Sequence, residues 1–453
     1  MALDLLPYQI EGAAFLSTRA RAGLHDEMGV GKTAQCIRAL DLRNARRGVI
    51  ICPASLRQNW VNEFRKFSSQ PRRIIKAQNY HDFIAWSRNR FDVLILSYEH
   101  ATKWAPKLHA LYEIFDFVIT DEAHYLKNQE ASRTKAVVAD WHDGKADPGL
   151  LELGLVAWMV TGTPMANDPV DIYPFLRWTG ALGDMSRPSF QRRYFHVREK
   201  AHGQAHKVRA EMESELTSLI ETHRLRRTKS QIGVQLPPIF LTTTTVDGDT
   251  AKITELLRQH PGLDQHIVHA LQQGGLSFLD AQHIATLRRL IGEAKAVPFA
   301  EMLLEQLHGG LDKAVVMGIH KVALQEVRDY LARHRIKAVI INGDTPEAVR
   351  TEAVRAFQED PDCRVFVGNI RAAGVGLTLT AASDIFMLES DWTPAGNAQA
   401  IMRVHRLGQT RNVTARFIVL ANSFDERVVE IVAEKTAAIA RIEGEAMLST
   451  PAA

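Results

Sequence analysis

Cysteine is scarce in this chain. Cys36, Cys52 and Cys363 are its only three, far apart, with no CxxC spacing and no histidine pairing. That argues against a disulfide framework or a zinc module, and points to buried free thiols in a reducing compartment. Long apolar runs are missing too. No stretch approaches the ~18 uninterrupted apolar residues of a membrane span, and the N-terminus is polar and charged where a signal peptide needs an apolar run. The expectation is a cytoplasmic protein with no membrane partner. An excess of one charge is also lacking, since 55 basic residues face 52 acidic ones for a net charge of +3. A nucleic-acid binder of this size must therefore cluster its charge locally. There is no internal repeat, and no low-complexity tract beyond the threonine run Thr242 to Thr245.

The 453 residues are too many for one ordinary core, so two or three domains are expected. Short apolar, β-branched runs alternate with helical patterns, the signature of parallel α/β domains. In the first half they are Gly48–Cys52, Asp92–Leu96, Phe117–Thr120 and Ala157–Val160. In the second half they are Ala314–Met317, Ala338–Ile341, Arg364–Val367, Asp384–Leu388 and Ala415–Val419. Near-continuous apolar runs predict strands covered on both faces, and two such series predict two lobes. The stretch between them differs. It is polar and basic from Pro188 to Arg209, passes Leu225-Arg-Arg-Thr-Lys229, and meets a break at Pro237-Pro238. The expected division is 1–235, with a basic helical insertion at about 180–230, and 236–453, with a helical insertion at about 249–307 that turns at Gly274-Gly275.

Two groups of residues carry chemistry. Gly29-Val-Gly31-Lys32-Thr33 follows a turn and precedes a plausible helix, so backbone amides and the helix dipole can cradle phosphate. Asp26 stands where the full phosphate-loop pattern has its first glycine. Lys32 is expected to reach the β- and γ-phosphates of ATP and the Thr33 hydroxyl to hold Mg2+. Asp121-Glu122 ends an apolar strand, where a metal-holding carboxylate belongs in an open sheet. Asp121 is expected on the metal and Glu122 on the attacking water. Far downstream, Gln399, Arg403 and Arg406 share a predicted helix. The arginines suit a transferring phosphoryl group, and Gln399 is expected to line the same cleft.

The order of these motifs resembles the SNF2-like branch of superfamily 2 DNA translocases over nearly the whole chain, closest in pattern to annealing helicases. Leu6-Pro7-Tyr8-Gln9 is similar to the family's adenine-reading segment, which implies Gln9 as base contact. Cys52-Pro-Ala-Ser-Leu56 with Trp60, and Leu96-Ser-Tyr-Glu99, resemble segments lining the DNA track. Thr161-Gly-Thr-Pro-Met-Ala-Asn167 resembles motif III, and Asn342-Gly-Asp344 and Gly374-Val-Gly376-Leu-Thr378 resemble motifs of the second lobe. Gly292-Glu-Ala-Lys295 and Met317-Gly-Ile-His320-Lys321 carry the annealing-helicase likeness. The resemblance implies two RecA-like parallel-sheet lobes in tandem, ATP and Mg2+ as cofactors, and duplex or branched DNA bound without sequence preference. It also implies ATP-driven movement along DNA, with strand annealing, branch movement or protein stripping as outcomes.

Arg192, Arg193, Arg226, Arg227, Lys229 and Lys127 are the expected phosphate contacts, since such motors grip the backbone. Trp392 is expected in the core or against a lobe. No HARP, RING, bromo- or chromo-module is visible. The lean build suggests a bacterial or phage setting, association with the nucleoid, and a recruiting protein for targeting. A DEAH-type RNA helicase and a nucleotide-gated DNA-binding scaffold are the competing readings.

Overall fold

Gly48–Cys52, Val93–Ser97 and Ala314–Gly318 are buried at every position, as strands covered on both faces must be. The computed structural model describes residues 3–142, 145–162, 168–199, 204–233, 236–273, 281–370, 377–392, 394–442 and 447–449. The expected features at Thr163 to Asn167, Gly274-Gly275 and Gly374 to Gly376 lie outside them. The chain divides into two compact units, Met1–Gly233 and Val234–Ala453.

The strands of the first unit are β1 (Arg21–Leu24), β2 (Gly48–Cys52), β3 (Ile74–Lys76), β4 (Val93–Ser97), β5 (Phe115–Asp121), β6 (Ala139–His142), β7 (Lys145–Pro148), β8 (Gly154–Val160), β9 (Phe195–Glu199), β10 (Gln204–Val208) and β11 (Arg224–Leu225). Seven of them form a sheet in the order β11-β1-β8-β5-β2-β4-β3, parallel at every pairing. Aromatic side chains, among them Phe83, Trp86, Trp104 and Phe115, fill the core on one face.

The second unit holds β12 (Ile239–Val246), β13 (Ala314–Gly318), β14 (Lys337–Ile341), β15 (Cys363–Asn369), β16 (Asp384–Met387), β17 (Val413–Leu420) and β18 (Met447–Ser449). They form a second parallel sheet, β14-β15-β13-β16-β17-β12-β18. Helices Ala251–Gln259, Leu263–Gln273 and Ala281–His308 precede β13. The α/β architecture with two parallel-sheet domains is therefore as expected.

Two local expectations change, and the threonine run finds a place. The threonine run, which the sequence left unassigned, is the middle of β12, paired along its length with β17, where β-branched side chains suit the extended backbone. The basic insertion is not wholly helical. After helix Arg187–Tyr194 the chain forms the antiparallel hairpin β9–β10, and Phe190, Tyr194 and Phe195 are buried beneath it. The helix carrying Gln399 ends at Ile401, so Arg403 and Arg406 lie on successive turns beyond it.

Candidate nucleotide site

The C-terminal ends of β1, β8 and β5 lie side by side, with Val160 level with both Leu24 and Asp121. Ligands in open α/β sheets bind beyond such strand ends. From β1 the chain turns through residues 25–31 into helix Lys32–Leu42, which has no side-chain cap and no acidic residue in its first turn. Its amides are left to an anion. Gly29 and Gly31 have φ of 83° and 78°, a region that favours glycine. A side chain at Gly31 would also strike the Gln9 amide, 2.4 Å from where its Cβ would stand.

Gln9 donates to the Val30 carbonyl at 3.1 Å and accepts from the Leu6 amide, so here it braces the loop. The Tyr8 hydroxyl donates to the same carbonyl, and burial with the nearby Asp26 charge pushes its pKa up to about 12. Lys32 Nζ donates to the carbonyls of Asp26 and Glu27 at 2.8 and 2.9 Å. Desolvation lowers its pKa, while the carboxylates of Glu122, Asp26, Asp121 and Glu27 act to raise it. Lys32 and the Asp121-Glu122 pair are thus within electrostatic reach of one another.

Asp121 is buried. Its Oδ2 accepts from Trp60 Nε1 and its Oδ1 from the Glu122 amide, both at 2.9 Å. Desolvation and then the adjacent Glu122 charge push its pKa up to about 6, with Trp60 and Lys32 opposing. Tyr98, at the end of β4, donates to the Asp121 carbonyl. Glu122 sits at φ 54°, ψ 47°, uncommon for a side chain of its size and of the kind that clusters at working sites. Its carboxylate is 3.3 Å from His124 Nδ1, which lies 3.1 Å from Thr161 Oγ1. Thr161 in turn donates its amide to the Leu24 carbonyl. The end of β5, the segment after β8 and the entry to the phosphate loop are therefore tied together. A carboxylate at a strand end, with Thr33 in the first turn of the helix that follows the loop, offers the kind of oxygens that magnesium takes, one or two from protein beside substrate phosphates.

In the second unit, Gln409 organises the turns that carry the arginines. Its buried amide donates to the carbonyls of Thr380, Ala382 and Val404. Its Oε1 accepts from Thr410 and Arg411. Arg406 Nη1 donates to the Leu377 carbonyl at 3.0 Å, Arg403 Nε to that of Gln399, and the Leu379 amide to the carbonyl of Arg403. The segments 377–382 and 402–411 are one assembly.

Comparison with known families matches the SNF2-related domain to residues 8–254, more than half of the chain. The chain belongs to the SNF2-related family. The helicase conserved C-terminal domain matches residues 299–408. Similar SNF2 proteins include the DNA annealing helicase and endonuclease ZRANB3 of Mus musculus, 28% identical over 93% of this chain and 39% of that protein. The SWI/SNF-related matrix-associated actin-dependent regulator of chromatin subfamily A-like protein 1 of Xenopus tropicalis is 27% identical over 98% of this chain and 45% of its own. The chain thus spans about two fifths of the length of these relatives. Among solved structures, the Sulfolobus solfataricus SWI2/SNF2 ATPase core in complex with dsDNA aligns over 98% of this chain and 96% of its own, at 20% identity and a TM-score of 0.45.

The expected phosphate contacts fare unevenly. Arg192 and Arg193 are exposed on helix Arg187–Tyr194, where Arg193 pairs with Glu215 and Arg192 donates to Ser189. Lys127 is 3.6 Å from Asp171, and Arg226 is half-buried. Arg227 and Lys229 are placed otherwise. The Arg227 fork is taken up by Asp26, Gln35 and the Tyr8 carbonyl, and the Lys229 side chain is 7% exposed beside Glu27. A guanidinium so committed has little left to offer a DNA phosphate. Trp392 lies under the Arg288 guanidinium at 4.5 Å, inside the second unit.

The sequence did not mark Trp60 as a partner of Asp121. Its place four residues beyond Leu56, on helix Arg57–Phe67, gave it an indole donor on a buried face. That was the available signal.

Proposed function

We propose that this SNF2 chain is an ATP-dependent DNA translocase whose two units share one hydrolysis cycle. The observation that carries this reading is the convergence of Lys32, Asp121 and Glu122 at the strand ends of the first unit, in a family whose similar members bear names of DNA annealing helicases.

Lys32 and the amides of helix Lys32–Leu42 would hold the triphosphate, with Gly29 and Gly31 giving room for its approach. Thr33 and Asp121 would hold magnesium, which when bound neutralises charge on the β- and γ-phosphates. Lys32 must leave the Asp26 and Glu27 carbonyls to reach a phosphate. Glu122 orients the attacking water and takes up its proton, and His124 passes the position of Glu122 to Thr161. Gln9 braces the loop and reads the base. Arg403 and Arg406, with Gln399 beside them, would reach the γ-phosphate when the units close. Reopening after hydrolysis would step the protein along one strand. Backbone phosphates are gripped without sequence reading, with Arg192, Arg193, Arg226 and Lys127 as the proposed contacts.

We further place the protein in the cytoplasm, on the nucleoid if the host is bacterial or phage-infected, with a recruiting protein supplying the target. The three free cysteines, all buried, suit a reducing compartment.

The test is steady-state ATPase activity with duplex, forked, four-way-junction and single-stranded DNA, and with RNA. Duplex or branched DNA should stimulate turnover. Stimulation by RNA alone would replace this reading with an RNA helicase, and ATP binding without turnover on any substrate would replace it with a gated scaffold.

A further inference from the structure

Asp26 opens the phosphate loop where glycine is usual, and its carboxylate is fully buried. Arg227 meets it three times: its backbone amide and Nε donate to Oδ1 at 3.0 and 3.2 Å, and Nη2 donates to Oδ2 at 2.6 Å. The same guanidinium donates to the Tyr8 carbonyl at 2.7 Å and to Gln35 Oε1 at 3.0 Å. Tyr8 belongs to helix Pro7–Ser17 and Gln35 to helix Lys32–Leu42. One side chain therefore joins the helix before the loop, the loop itself and the helix after it. The backbones run together as well. The amides of His25 and Glu27 donate to the carbonyls of Leu225 and Arg227, and the Lys229 amide donates to Glu27 Oε2.

We infer that Arg227 is a positioning residue for the nucleotide, acting through Asp26 on the phosphate loop. The inference rests on the ATPase reading above. Without the guanidinium, a buried carboxylate stands unpaired beneath the triphosphate, and removing one member of such a pair is strongly unfavourable. The loop must then shift to solvate Asp26 or hold a like charge near the phosphates. Either change moves the Asp26 and Glu27 carbonyls on which Lys32 rests. Arginine is required over lysine because only its fork spans Asp26, Gln35 and Tyr8 together.

The experiment compares Arg227→Gln, Arg227→Lys, Asp26→Asn and the Asp26→Asn/Arg227→Gln double variant with the full chain. Binding of a fluorescent ATP analogue with Mg2+ is measured without DNA, and KM and kcat for ATP are measured with duplex DNA. Arg227→Gln should weaken nucleotide binding and raise KM by about tenfold or more, the scale of a lost charged hydrogen bond, with a smaller change in kcat. Arg227→Lys should fall between. The double variant should bind nucleotide better than Arg227→Gln, because it no longer buries an unpaired charge. It also carries the test if Arg227→Gln does not fold. Unchanged nucleotide affinity in folded Arg227 variants overturns the inference. So does an unchanged KM with weaker DNA binding and a salt slope reduced by about 1, the mark of a phosphate contact. If wild type binds ATP without turnover on any nucleic acid, the enzyme reading fails, while loss of nucleotide binding in Arg227→Gln still supports the positioning role.

Discussion

Trp60 Nε1 donates a 2.9 Å hydrogen bond to Asp121 Oδ2, and both residues are shut away from solvent. The indole fixes the rotation of the carboxylate at the end of β5 and favours its charged form against the burial that raises its pKa. Outer partners of this kind set how well a metal ligand works. Trp60→Phe keeps the ring and removes the donor. We expect the Mg2+ concentration for half-maximal ATPase activity to rise about 10-fold or more. An unchanged Mg2+ titration in a folded variant would remove Trp60 from the site.

Asp121 also makes stability depend on pH in the unusual direction. Its pKa is about 6 folded against an ordinary value of 3.8 for a free side chain, so between those values the folded state holds the proton that the unfolded state has lost. The contribution is full below pH ~3.8 and is lost as pH rises through about 6. Asp121→Asn keeps an acceptor for Trp60 and carries no charge. Nucleotide-free Asp121→Asn should be more stable than wild type at pH 7.5, by on the order of 1–3 kcal/mol, and the gap should close toward pH 4. Urea unfolding at both pH values checks this. A gap that is constant with pH would mean that Asp121 is ionised at no cost.

Much of this was legible in the sequence, for identifiable reasons. The all-buried strands β2, β4 and β13 announced themselves as unbroken apolar runs, because a strand covered on both faces has no polar alternation to blur it. β1, with Arg21 and Gly23 in four residues, had no such signal, and β11 has two residues and forms only because β1 offers an edge. The threonine run was given no element because its side chains are polar, whereas its place is set by pairing with β17, a long-range fact. The phosphate loop and the acidic pair were visible because their chemistry demands local spacing. Arg227 was misjudged because charge alone cannot distinguish a guanidinium that faces solvent from one whose partner lies 201 positions earlier.

Lys295 extends the same lesson to the second unit. Its side chain is 2% exposed, with Nζ donating to Asp425 Oδ2 and to the Ile418 carbonyl, both at 2.9 Å. Asp425 Oδ2 also accepts from the Leu420 amide, so the pair ties helix Ala281–His308 to the end of β17. Lys295→Ala should cost about 3–5 kcal/mol in urea unfolding, because it leaves a buried carboxylate unpaired. Adding Asp425→Asn should restore part of that loss. If the double variant is no better than Lys295→Ala, lost packing rather than lost charge is the cause.

Gln409 offers the most direct test of the second unit's part in hydrolysis, since it holds the turns that present Arg403 and Arg406 and itself offers no charge to a phosphate. Its amide and carbonyl make five hydrogen bonds to backbone, with Thr380, Ala382, Val404, Thr410 and Arg411. Arg406→Ala should reduce DNA-stimulated turnover by about 10³-fold or more while leaving ATP binding near wild type, as expected of an arginine finger. Gln409→Ala should lower kcat in the same sense without changing the affinity for ATP, whose proposed contacts lie in the first unit. Gln409→Glu separates geometry from charge: it keeps the acceptor for Thr410 and Arg411 but turns the donor into a second acceptor facing three carbonyls, so it should lower kcat at least as far. Wild-type turnover in both Gln409 variants would show that the placement of these arginines does not limit the reaction.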